Sequence, residues 1–177
     1  MEMKPDVGSA LKAIRQSKGL SLDKASKLTG VSKAMMGQIE RGESSPTIAT
    51  VWKLATGLEC SFTTLLGPQH GPSFGGTEQD PKMKVITHFP FDSSTGIEVF
   101  DVVLEQFHEQ LSTPHQPGVI EHIYVREGKL SLLVDEQWIL VEPGQTHKLS
   151  ADKPHGYRDL AGRTVFTDVI YYPEQKR

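Results

Sequence analysis

Residues 20–58, LSLDKASKLTGVSKAMMGQIERGESSPTIATVWKLATGL, constrain this chain more than any other stretch. Ser21 is a good N-cap for a short helix over residues 22–28, expected to bury Leu22, Ala25 and Leu28. Gly30 suits a left-handed position just past its end, where a Cβ would be strained. Val31 is expected to tuck under the turn, and Ser32 caps a second helix over residues 33–40 that points Met36 and Ile39 inward. Gly42 ends that helix, and the loop GESSP leads to a third. Its apolar residues Ile48, Val51, Trp52, Ala55 and Leu58 fall at offsets 0, 3, 4, 7 and 10, one helical face. Two helices around a tight turn, a loop and a packing helix must fold as one small α-helical unit.

The flanks complete that unit. Leu11 and Ile14 mark a helix over residues 7–17, with Lys12, Arg15 and Lys18 on or near its other side and Gly19 as its stop. Ser61 is placed to cap a fifth, short helix carrying Phe62, Leu65 and Leu66.

In register and in punctuation, residues 7–66 resemble the lambda-repressor-like, or XRE, helix-turn-helix family. The carrying residues are Leu20-Ser21, Gly30-Val31-Ser32, Ile39-Glu40-Arg41-Gly42, Ser45-Pro46-Thr47 and the helix through Leu54, Ala55 and Leu58. The resemblance implies that the second helix of the motif enters the major groove of double-stranded DNA. Its base-facing positions here are Ser32, Lys33, Ala34, Gly37 and Gln38. Gln38 can offer a donor–acceptor pair to adenine, and Lys33 can reach guanine or phosphate. Ser21, Arg41, Ser44, Ser45 and Thr47 fall at helix ends and in the following loop, where phosphates would run. The family also implies an Arg15–Glu40 pair that orients the module without reading DNA.

Charge agrees once it is divided by position. The net charge of −3 splits into nine Lys/Arg against six Asp/Glu in residues 1–66, and ten against sixteen in residues 67–177. A locally basic module can attract phosphate whatever the total. No run of about 18 apolar residues exists to span a membrane, no secretory signal is read at the N-terminus, and Cys60 has no intrachain partner. These features point to the cytoplasm.

Residues 67–82, GPQHGPSFGGTEQDPK, hold four glycines and three prolines and read as a linker, with His70 solvated and Phe74 a candidate anchor. Beyond Met83 the texture is β: KVITH, IEVFDVVLEQF, EHIYVREG, KLSLLV, QWILVEPG, THKLS and TVFTDVIYY alternate with turn signals. The fold class is therefore α + β in two domains: five helices in 1–66, a linker in 67–82, and a β-sandwich or barrel in 83–177.

Two spans of the β domain, EHIYVREGKLSL and VEPGQTHKLSADKPHGYRDL, resemble the cupin motifs and so imply a jelly roll. His115, Glu121 and Gly128 stand in the first motif, with Pro117 where a second histidine belongs. Gly144, His155 and Asp159 stand in the second, with Ser150 and Asp152 where proline and glycine belong. The resemblance implies that His115, Glu121 and His155 are metal ligands, and a two-His, one-carboxylate set can hold Zn, Fe or Mn with open positions. The same three residues, with Tyr157 or Arg158, equally suit a metal-free pocket for a small molecule, walled by Trp138, Phe166 and Tyr171. His122 neighbours Glu121 on a strand and should face the other way; the direction of His147 is open.

Together these features describe a DNA-binding transcription regulator whose cupin domain senses a small-molecule effector and forms a homodimer on a palindromic operator. Two alternatives remain: a metal-dependent cupin enzyme, an oxygenase or isomerase, with a DNA-binding appendage; and a helical domain that binds protein, as in antitoxin-like proteins.

Overall fold

The computed structural model describes residues 7–66 and 82–173. The linker expectations for His70 and Phe74 lie outside the described residues. Five helices come first: α1 (Val7–Ser17), α2 (Leu22–Thr29), α3 (Lys33–Glu40), α4 (Ile48–Gly57) and α5 (Phe62–Leu66). The hydroxyls of Ser21, Ser32 and Thr47 cap α2, α3 and α4, accepting from the N–H groups of Lys24, Met35 and Thr50. Gly30 takes φ 68° between α2 and α3. Leu11, Met36, Ile39, Ile48, Val51 and Leu58 form the helical core, each 1% exposed or less.

Arg15 and Glu40 pair across α1 and α3 through two parallel bonds, Nε to Oε1 at 2.6 Å and Nη2 to Oε2 at 2.9 Å. The third arm of Arg15 donates to the Leu20 carbonyl at 2.7 Å. The pair thus fixes the α1–α2 turn against α3, away from the surface that α3 presents.

One expectation for α2 is corrected. Leu28 is 57% exposed, and Thr29 is buried instead. The Thr29 hydroxyl donates to the Ala25 carbonyl and accepts from the Val31 N–H, so it ties the turn that Leu28 was expected to seal. The end of α4 also comes too close to α2 for a side chain in between. A Cβ on Gly57 would lie 2.5 Å from Thr29 Cα and 2.6 Å from the Leu28 carbonyl oxygen.

Nine strands follow: β1 (Met83–Asp92), β2 (Ile97–Glu105), β3 (Glu109–Ser112), β4 (Ile120–Glu127), β5 (Leu130–Val134), β6 (Gln137–Val141), β7 (Thr146–Ser150), β8 (His155–Asp159) and β9 (Arg163–Tyr171). They make two antiparallel sheets, ordered β1-β2-β9-β4-β7 and β3-β8-β5-β6. The sequence reading missed β3 and β8, whose segments EQLS and HGYRD lack the β-branched run that marks their neighbours. Pairing supplies what propensity does not, since β8 lies between β3 and β5. Inward residues follow the two-residue period: Glu98, Phe100, Val102 and Leu104 on β2, and Glu121, Ile123 and Val125 on β4.

The helical and β cores meet. Trp52 stacks on Phe62 at 4.1 Å between ring centroids, and both rings pack on Phe100 of β2, at 5.6 and 5.5 Å. Beside them the buried Glu98 carboxylate accepts the N–H groups of Phe62 and Thr63 and the hydroxyls of Thr63 and Tyr172. An acid on the inner face of β2 thereby caps α5. The clue in the sequence was an acid at an inward position of an alternating strand, legible only once the register is known.

Candidate functional site

Two sites emerge, one on the helices and one inside the jelly roll. On the first, α3 shows Ser32, Lys33, Ala34 and Gln38 to solvent while Met36 and Ile39 hold it to the core. Lys33, Ala34, Gly37, Gln38 and Arg41 line an open groove of about 520 Å³ together with Leu22 of α2. Gly37 itself is covered, with Arg41 Nη1 3.1 Å from where its Cβ would stand, so it makes room for the arginine. Arg41 is held by Glu43 through two 2.6 Å bonds at the surface. Ser44 and Ser45 occupy the loop before α4, with Ser45 exposed. Ser21, Ser32 and Thr47 use their oxygens as caps, which leaves the Ser21 and Ser32 hydroxyl protons able to donate outward, while the Thr47 hydroxyl also pairs with that of Thr50 at 2.9 Å.

Inside the jelly roll, His115 lies on the loop between β3 and β4, Glu121 on β4 and His155 on β8. A backbone bond from His115 to the Ala151 carbonyl, at 2.8 Å, and one from Gly118 to the Asp152 carboxylate, at 2.9 Å, fasten that loop. The two imidazole Nε2 atoms approach the same carboxylate oxygen, Glu121 Oε1, at 3.2 Å from His115 and 3.5 Å from His155. The other oxygen, Oε2, accepts the Tyr157 hydroxyl. Tyr157 stacks on Phe166 at 5.2 Å and meets His155 edge-on at 5.8 Å.

The electrostatics follow from burial and pairing. Burial pushes the Glu121 carboxyl upward, but His155 and His115 outweigh it and hold the group below the usual carboxylate range. Burial pushes the His155 imidazole down, and the Glu121 carboxylate carries it back above its ordinary value. Asp168 is buried behind them with Oδ1 unpartnered, and burial together with Glu121 and Glu98 raises it well above the ordinary range. Burial likewise pushes the Cys60 thiol up to about 12, which makes it a packing residue and a poor nucleophile.

This donor set fits a divalent cation. The three ligating atoms lie within 4.8 Å of one another. His155 Nδ1 donates to the Lys153 carbonyl at 2.8 Å, which turns Nε2 toward Glu121, where the neutral ring offers a lone pair. That Nε2 is buried 3.5 Å from Glu121 Oε1, where either a proton on the imidazole or a metal ion would bridge the two atoms. A cavity of about 130 Å³ between β5 and β7 reaches His155 and is edged by Lys148 and Lys153.

Other expected residues fall elsewhere. Arg158 points away from Tyr157, as strand alternation requires, bonding Glu109 at 2.6 Å and covering the Trp138 ring at 4.1 Å. Trp138 therefore belongs to the outer face of its sheet. Tyr171 is 37% exposed on the outside of the other sheet, and of the expected wall residues only Phe166 lies within. His122 is exposed on the face opposite Glu121, and His147 sits in register with Ile123, outside the trio.

Known proteins agree with both halves. The HTH_3 helix-turn-helix model matches residues 11–65. The HTH-type transcriptional regulator SutR of Escherichia coli (strain K12) is 42% identical over 169 residues, covering 94% of this chain and 95% of that protein. The chain belongs to the HTH-type transcriptional regulators. An HTH_3 family regulator from Vibrio cholerae has the same fold throughout, with a TM-score of 0.86, 45% identity and 97% of each chain covered. The cupin domain of an XRE family regulator from Enterobacter cloacae matches 52% of this chain and 99% of its own at 35% identity, with a TM-score of 0.51. A two-domain HTH–cupin regulator is thus the coarse identity. The relatives are named as regulators, which favours that role over the enzymatic alternative. Among the described residues no helix is long and apolar enough to cross a membrane.

Proposed function

We propose that this regulator reads a palindromic operator as a homodimer and that its cupin domain senses a small molecule through His115, Glu121, His155 and Tyr157. The observation that carries the DNA reading is the groove along α3. It gathers Lys33, Ala34, Gly37 and Gln38 beside the capped ends of α2, α3 and α4, where hydroxyls and N–H groups meet phosphates. Gln38 and Lys33 supply base contacts, and Ser21, Ser32, Arg41, Ser44, Ser45 and Thr47 hold the backbone. Arg41 exchanges Glu43 for phosphate on binding. One such module buries too little surface for tight specific binding, so two copies with two-fold symmetry are required. The outer face of the five-stranded sheet exposes Ile97, Tyr124 and Tyr171 and offers apolar surface for that pairing.

A divalent cation, Zn, Fe(II) or Mn, fits His115, Glu121 and His155. When bound it would supply a Lewis-acidic anchor for the effector at its open positions. The protein holds the two imidazoles by their Nδ1 atoms and leaves the Nε2 atoms to face Glu121.

Selection of bound sequences from a random double-stranded DNA library tests the reading. An inverted repeat with half-sites about one helical turn apart is expected. Enrichment of no sequence, or binding unchanged by salt and by Lys33→Ala with Gln38→Ala, rules it out.

A further inference from the structure

His115 faces two ways. Its Nε2 looks at Glu121, while its Nδ1 is hydrogen-bonded to the Thr56 hydroxyl at 2.8 Å, across 59 residues of sequence and from the other domain. Thr56 belongs to the last turn of α4, and Trp52, one turn before it on the same face, brings its ring to 6.0 Å from the His115 ring. The helical domain therefore packs on His115 and supplies a polar partner to that one member of the trio.

We propose that Thr56 is the positioning residue for His115, so that cation binding at His115, Glu121 and His155 locks α4 onto the jelly roll and couples the sensory site to the DNA-reading helices. This inference rests on the cation reading above.

The hydrogen-bond chemistry favours threonine in that place. With Nε2 committed to a cation, Nδ1 carries the proton and must donate, and Thr56 Oγ1 accepts. Without the cation, Nε2–H can donate to Glu121, and Nδ1 then accepts from the Thr56 hydroxyl. A hydroxyl serves in both states because it is donor and acceptor at once. A ligated imidazole is the stronger donor, so occupancy tightens the contact between domains. By linkage, the docked α4 raises cation affinity by the same factor.

The coupling has a rigid continuation. Gly57 follows Thr56 directly and packs against the Thr29 and Leu28 backbone at the end of α2, with no room for a Cβ. A shift in the last turn of α4 therefore presses on the backbone of the reading motif itself. Glu98 holds α5 as a second anchor that does not touch the trio. The domain can stay docked there while the Thr56 contact changes.

The test uses the full-length, metal-stripped protein with Co²⁺ as a probe. Visible absorption follows binding, and hydrogen exchange follows α4. Wild type is expected to take up Co²⁺ and to slow exchange across residues 51–57. Thr56→Val should weaken Co²⁺ binding about 10–100-fold, as loss of an outer partner of a ligating histidine does, and should abolish the protection of α4. Thr56→Ser should restore both, which a purely apolar packing role would not. Equal Co²⁺ affinity in Thr56→Val and wild type, or unchanged α4 exchange on Co²⁺ binding, overturns the positioning role alone. Wild type that binds no Co²⁺ overturns the cation reading and this inference together. If Thr56→Val does not fold, the wild-type exchange data and Thr56→Ser still decide.

Discussion

Lys33, Ala34, Gly37 and Gln38 stand within six consecutive residues of one helix, whereas His115, Glu121 and His155 are brought from a loop and two strands across 40 residues. Lys33, Ala34 and Gln38 of the first group meet solvent along an open groove; the second is enclosed, with Glu121 1% and His155 2% exposed. The groove proposed to read DNA must leave its donors free, so its scaffold comes from caps and core residues on the other side of the same helix. An enclosed polar cluster must satisfy itself, so each member carries partners: Tyr157 on Glu121, the Lys153 carbonyl on His155, Thr56 on His115. Substitutions should therefore separate the two regions cleanly. Changes in the groove should alter binding with little effect on stability, and changes in the cluster should alter stability and ligand affinity together.

The sharpest separation is expected from Glu121→Ala. It leaves two buried imidazoles without their shared carboxylate, and should lower the unfolding free energy by about 4 kcal/mol. Chemical denaturation measures this, and a Co²⁺ titration of the same variant should be flat. A variant as stable as wild type would show that the trio is not held by charge. Next comes the groove. Gln38→Ala should weaken operator binding by about 2 kcal/mol, roughly 30-fold, and relax sequence preference at one position. Lys33→Ala should instead weaken binding more evenly across sequences and reduce the salt slope by about 1 if it meets a phosphate. Neither should move the denaturation midpoint, and a drop there would place these residues in the fold and not on DNA.

Glu40→Gln probes the border between scaffold and reading surface. Losing one charge of the Arg15 pair should reduce stability by about 1.5 kcal/mol, while the operator affinity of the folded fraction stays unchanged. A selective loss of affinity would mean that the pair tunes the angle of α3. The smallest effect is expected at Leu28. It follows an apolar helical pattern yet is 57% exposed, so Leu28→Lys should change stability by no more than about 0.5 kcal/mol. A larger loss would show that Leu28 is covered in the working assembly.

Much of this protein was legible because its information is local. Helix caps act within one turn, so Ser21 and Ser32 marked two helix starts, and Gly30 marked the turn that only a residue without a Cβ takes easily. The trio His115, Glu121 and His155 was legible through motif spacing, and strand alternation sent His122 outward. What lacked a local signature was missed. The β8 segment HGYRD has poor strand propensity and is a strand because β3 and β5 pair with it on both sides. Trp138 is large and apolar, as a pocket wall would be, but its register sends it outward beneath Arg158.

The sequence by itself determined two domains, the capped helix α3 with its exposed residues, and a jelly roll carrying two histidines and a carboxylate. Only the tertiary structure decided that Glu98 caps α5, that Leu28 stays in solvent while Thr29 goes in, and that Thr56 reaches His115. The reason is physical. Caps and periodicity follow from bonds a few residues apart, whereas a contact between residues 59 apart exists only once two separately patterned surfaces have packed together.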